Sequence, residues 1–166
     1  MNDTSQHSKF YFNMGLLLLS LIIIGFGSMM IKLGRSPIEF PILFHFHGAT
    51  YIAWYLLFIF QAKLIGQSNY DLHKKLGYSS LLIVTGMLVS GFLVSATSYA
   101  RGTSPIPDTT IQQFMAFPLM DLVGLSMFYI LGVLNRTNAL FHKHCMLIAS
   151  IAIMDLSLIH ISEPTR

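Results

Sequence analysis

Between Glu39 and Lys63 the chain carries no formally charged side chain. At about 1.5 Å rise per residue, a helix of that length reaches across a hydrocarbon core of roughly 30 Å. The run at its centre, Phe44 to Lys63, reads FHFHGATYIAWYLLFIFQAK, and it is not a plain lipid-facing helix. His47, Tyr51, Trp54, Phe58 and Gln61 follow the i, i+4, i+7 spacing and form one stripe. Polar groups and large rings on one face, with Ile52, Leu56 and Ile59 elsewhere, predict that this face looks into a bundle.

Two further charge-free runs, 10–31 and 76–100, repeat the constraint, and a third apolar run, 111–135, carries a single charge, Asp121. Of the 166 residues, 54% are hydrophobic and 10% charged, where a soluble domain has about 25% charged. The mean hydropathy is +0.63. The expected fold is therefore all-α, a polytopic transmembrane helical bundle with four complete spans and a truncated fifth. The predicted helices cover about 10–31, 42–62, 76–100, 111–135 and 145–155. Helix one reads as an anchor without chemistry. Between helices two and three the polar stretch QSNYDLHKK reads as a loop, and Pro37 and Pro41 punctuate the link before helix two. In helix three, Gly86 with Ser90 and Gly91 with Ser95 lie four residues apart, a spacing that lets neighbouring backbones approach in lipid. Asp108, Thr109 and Thr110 are candidate caps for helix four.

The formal charge of +3 comes from scattered Lys and Arg rather than a basic block. Nucleic acid is thereby disfavoured as a partner, and the bilayer is the expected one. Lys9, Lys63, Lys74, Lys75, Arg136 and Lys143 fall on one side, six against the three of Lys32, Arg35 and Arg101. The positive-inside bias then places the N-terminus in the cytoplasm. The opening MNDTSQHSK lacks a signal peptide's basic start and cleavage site. A single cysteine, Cys145, excludes an internal disulfide framework.

Topology sorts the residues that can carry chemistry. His73, in LHKKLG, and His142, in FHKHCM, stand just ahead of two membrane helices and at equal depth. Such a pair can supply both axial ligands of a b-type haem, and the same residues also suit interfacial anchors of the positive side. His144 is two positions further on and cannot face the same iron from a regular helix. His47, at the other end of helix two, reads as a hydrogen-bonding group within the bundle, since its neighbour His45 points elsewhere. Asp121 lies near the bilayer midplane. A carboxylate there is costly unless paired, protonated or wet, so it is a candidate for proton transfer or a buried strut. Trp54, Tyr51, Gln61 or His47 can donate to it, and Pro118 can free a carbonyl beside it.

HGATYIAWYLLFIFQAKL, DLHKKLG and FHKHCMLIA together resemble a family of uncharacterised bacterial multi-pass membrane proteins. That family carries a His-Gly, Trp, Gln helix, a Leu-His-x-x-Leu-Gly helix start and a later His-Lys-Arg-Leu-Met helix start. The likeness runs from Phe44 to Ala149. It implies that His47, Gly48, Trp54, Gln61, His73, Gly77, His142 and Met146 are marked positions, and that further helices follow the fifth. His144 stands where the family has Arg, and Cys145 where it has Leu. The last eleven residues, LSLIHISEPTR, resemble the in-frame translation of a sequencing-library adapter. On that reading residues 156–166, with His160, Glu163 and Arg166, carry no function, and the natural chain is cut inside helix five.

No P-loop, metalloprotease motif, Ser-His triad or dinucleotide fingerprint is present, which disfavours ATP-driven and hydrolytic activity. Two functional expectations follow. One is a bacterial inner-membrane redox or electron-transfer subunit with haem b on His73 and His142. The other is a non-enzymatic membrane component, either a carrier of a small solute or proton through Asp121 or an assembly partner.

Overall fold

A computed structural model describes residues 3–33, 41–102 and 110–154. Every regular element among them is a helix: α1 (Asp3–Leu33), α2 (Ile42–Gly66), α3 (Tyr70–Arg101), α4 (Ile111–Leu134) and α5 (Ala139–Ala152). The fold is an all-α helical bundle. Four of the helices, α1 to α4, are long and apolar enough to cross a membrane. Large apolar side chains cover the outside: Ile42 is 83% exposed and Leu82 78%. Such a surface is stable only where the surrounding solvent is itself apolar.

Helix limits differ from expectation where side-chain caps decide them. The stretch expected as a loop from Lys63 to Lys75 is almost wholly helical. Only Gln67, Ser68 and Asn69 link α2 to α3. Their backbone N–H groups bond back to the carbonyls of Lys63, Leu64 and Ile65. Ser68 takes a left-handed φ of 56°. The Asn69 side chain then accepts from Leu72 N at 3.3 Å, starting α3 six residues before the expected Leu76. Asn138 does the same for α5, accepting from Phe141 N at 3.1 Å. That helix therefore begins at Ala139 rather than near Cys145. Thr110 closes a capping box with Gln113 at the start of α4. An N-cap Asn contributes about 1 kcal/mol, so Asn69→Ala is expected to lower unfolding free energy by that amount and Asn69→Asp to restore most of it. Denaturant titration of the detergent-solubilised protein reads both.

Links this short make α2 and α3, and α4 and α5, neighbouring pairs, and α1 packs on α2. The core draws on all five helices: Leu18 and Ile22, Tyr51, Trp54 and Tyr55, Val84 and Met87, Leu125 and Tyr129, and Ala149. Small residues set the approaches. A Cβ on Gly15 would lie 2.7 Å from an Ile59 side-chain atom, and one on Gly91 2.8 Å from Leu122. Ile59 is thus buried against α1, not turned outward with the exposed Ile52 and Leu56. Pro118 is buried inside a continuous α4. Pro37, Asp108, Thr109 and the adapter-like residues 156–166 lie outside the described residues.

Candidate functional site

The ends of α2 and α4 and the starts of α3 and α5 meet at one end of the bundle, where most of the lysines lie. His73 opens α3 and His142 opens α5. Their rings stand 6.4 Å apart between centroids with planes at 87°. Both side chains are half-buried.

The His142 ring and the His73 backbone are each tied to a neighbouring helix. Near the end of α4, the N–H groups of Asn135 and Arg136 bond to Leu131 and Val133. The carbonyl of Gly132 accepts instead from His142 Nδ1 at 2.8 Å. Terminal carbonyls have no intrahelical donor, so this one is available. Because a carbonyl only accepts, His142 donates from Nδ1, and in the neutral ring the lone pair then lies on Nε2. An imidazole oriented this way by a carbonyl is the usual arrangement of a metal-ligating histidine. On the other side, Gln61 of α2 donates from Nε2 to the His73 backbone carbonyl at 3.2 Å. Gly77, one turn after His73, faces that amide; a Cβ there would sit 3.7 Å from it.

Two buried polar atoms in this corner have no hydrogen-bond partner, His73 Nδ1 and Gln61 Oε1. An unsatisfied buried group costs about 1–3 kcal/mol, a cost that a ligand supplying a partner here would relieve. His73 and His142 would be the residues to hold a metal-centred group here, their ring centroids being 6.4 Å apart. Among the described residues no three His, Cys, Asp or Glu side chains gather as a bare metal ion would need. Two histidines are a full protein contribution for haem iron, whose other ligands come from the macrocycle.

The remaining candidates lie apart from this corner. His144 is exposed, 6.2 Å from the Tyr11 ring, and Lys143 Nζ lies 5.5 Å from that ring's centre. His45 is exposed. At the far end of α2, His47 Nδ1 pairs with Ser90 Oγ at 3.2 Å, and its ring lies 4.4 Å from Tyr51. Ser90 in turn donates to the Met87 carbonyl at 3.3 Å. Asp121 is buried at 6% exposure, within electrostatic range of Tyr51 and Tyr55. Of the donors expected for it, Trp54 donates to Ser150 Oγ at 3.1 Å, Gln61 to His73, and His47 to Ser90. Sequence reasoning missed four members of this polar interior, Tyr55, Ser80, Tyr129 and Ser150. Tyr55 OH donates to the Ser150 carbonyl at 2.5 Å, Ser150 joins α5 to α2, and Tyr129 OH pairs with Ser80 Oγ at 2.8 Å. The i+4 step from Tyr51 to Tyr55 was the available signal.

The fold is a helical bundle in which the starts of α3 and α5 bring the His73 and His142 rings together at one end. Comparison with family models, with curated proteins and with solved structures finds no match to this chain.

Proposed function

We propose that the protein is a membrane redox component in which His73 and His142 hold the iron of a b-type haem for electron transfer. The observation that carries this reading is the pair itself: two imidazoles from different helices with ring centroids 6.4 Å apart, one oriented by the Gly132 carbonyl, beside buried atoms lacking partners. The haem, when bound, supplies one-electron chemistry. The chain positions the ligands: α4 fixes the tautomer of His142, and Gln61 ties α2 to the helix turn that bears His73. The uneven distribution of lysine and arginine supports an orientation with this corner facing the cytoplasm, where a soluble or membrane redox partner has access.

Visible spectra of the purified full-length protein, oxidised and dithionite-reduced, test the assignment. The expected result is a Soret band that moves on reduction. It is absent from His73→Ala and His142→Ala and retained in His144→Ala. Folded protein supplied with haem that shows no such band removes the proposal.

A further inference from the structure

A cavity of about 220 Å³ opens between α1 and α2. Its walls are Ser8, Lys9 and Phe12 of α1 and Ala62, Lys63 and Gly66 of α2. We propose that it binds the head group of one anionic phospholipid, with the phosphate between Lys9 and Lys63 and the acyl chains running along the outside of both helices.

The packing of α1 on α2 builds the cavity. Two close approaches hold these helices together. At the inner one, a Cβ on Gly15 would lie 2.7 Å from an Ile59 side-chain atom; at the outer one, a Cβ on Gly66 would lie 2.6 Å from Ser8 Oγ. Ser8 to Gly15 and Ile59 to Gly66 are both steps of seven residues, so the antiparallel helices meet in register at each. Phe12 and Ala62 fall between the two contacts. The single methyl of alanine does not fill the space beside the phenyl ring.

Position and chemistry name the occupant. The apolar span of α1 begins at Ser8 and that of α2 ends at Gly66, so the cavity lies where the chain leaves hydrocarbon, at the depth of lipid phosphates. A lone lysine at a helix end is ordinarily a solvated anchor. Here two lysines from different helices line one concave surface, and no acidic side chain is in its wall. Each ammonium brings three donors and a full charge, so the pair can share the oxygens of one phosphate. Basic pockets between membrane helices suit anionic lipid head groups for this reason. Size supports a part of a molecule rather than a whole one. Sites that enclose small molecules hold about 300–1,000 Å³, so this cavity admits a head group while the rest stays outside. An apolar surface is ready for that rest: Leu16, one turn beyond Phe12, and Leu56, two turns before Lys63, are both exposed. A free phosphate gains nothing from leucines, whereas acyl chains lie against them. None of the six wall residues holds His73 or His142, so the inference stands apart from the haem reading.

Native mass spectrometry of the full chain in detergent, titrated with phosphatidylglycerol or zwitterionic phosphatidylcholine, tests the site. The expected result is one phosphatidylglycerol retained on the order of tenfold more tightly than phosphatidylcholine. Lys9→Gln and Lys63→Gln each weaken it by about fivefold, the effect of one lysine beside an anionic head group. Both side chains are exposed, so the fold survives either change, and an unaltered helical circular-dichroism spectrum checks this. Lys75→Gln removes a charge from the same end of the bundle but not from the cavity, and leaves binding as it was. Ala62→Leu keeps both charges, fills the space and weakens binding. Inorganic phosphate at equal concentration does not displace the lipid. Equal retention of the two lipids overturns the proposal, as does an Ala62→Leu protein that binds like its parent. Lys75→Gln weakening the complex as much as Lys9→Gln or Lys63→Gln would mean diffuse surface charge instead of a site. Displacement by inorganic phosphate would overturn the lipid as occupant.

Discussion

Trp54→Ala is expected to lower the unfolding free energy by about 3–5 kcal/mol, and Trp54→Phe by only about 1 kcal/mol. The indole is 3% exposed and stands where α2, α4 and α5 meet, edge-on to Tyr129 at 6.0 Å. Between helices in lipid no hydrophobic driving force refills a gap, because acyl chains are as apolar as leucine. Association rests on van der Waals contact and hydrogen bonds. Removing the ring therefore leaves a void that three helices line. Phenylalanine keeps most of that contact and gives up one bond, from Nε1 to Ser150 Oγ. The hydroxyl is not stranded, since Ser150 Oγ still donates to the Met146 carbonyl at 2.8 Å. Ser150→Ala works the other way. It strands the indole N–H in a dry layer and is expected to cost about 1–3 kcal/mol. Once Trp54→Phe has removed that N–H, the serine change should cost much less, a coupling that a double-mutant cycle measures. Equilibrium unfolding in detergent reads the parent and all four variants. A Trp54→Ala variant within about 0.5 kcal/mol of the parent, the usual scatter of surface changes, would mean that the indole does not occupy this junction.

The same junction shows what was legible beforehand. The α2 stripe could be read because i, i+4, i+7 spacing puts side chains on one face whatever the solvent, and Tyr51, Trp54 and Phe58 are indeed buried. The adjacency of His73 and His142 was also accessible. Two similar helix starts at equal depth must share an end of the bundle once intervening helices alternate direction. Polarity misled at QSNYDLHKK. Charged side chains can ride on a helix that emerges from the membrane, and the boundary is set by the Asn69 cap rather than by composition. The Trp54–Ser150 and Tyr129–Ser80 bonds were hidden for a different reason. Serine inside an apolar run announces a need for a partner but not its identity, and its short side chain reaches only what packing brings to it. The partner of a residue 96 positions away is fixed by which faces of α2 and α5 meet. Periodicity within one helix carries no information on that.

Gly132→Ala is expected to lower the unfolding free energy by about 1–3 kcal/mol, and Gly132→Val to do so by more, through overpacking of a tight helix contact. A Cβ at this position would overlap Met146 Cε and lie 3.0 Å from the Cβ of Cys145. The methionine terminus can swing away at modest cost because the side chain is flexible. The cysteine Cβ cannot, because it is fixed to the α5 backbone. The helices must therefore separate by a few tenths of an ångström or slide. Either movement carries the Gly132 carbonyl away from His142 Nδ1, which now sits at 2.8 Å. The expected signature is a joint loss of stability and of the imidazole's fixed orientation, read as the appearance of a second His142 ring environment by nuclear magnetic resonance of labelled histidine. Gly27→Ala on α1 is the matched control. A Cβ there meets nothing within 4 Å, and alanine is the better helix former by about 1 kcal/mol, so that change should be neutral or slightly stabilising. If Gly132→Ala were equally benign, α4 and α5 would not be in contact at this residue. The bond that selects the tautomer of His142, and with it the Nε2 lone pair of the neutral ring, would then lose its structural basis.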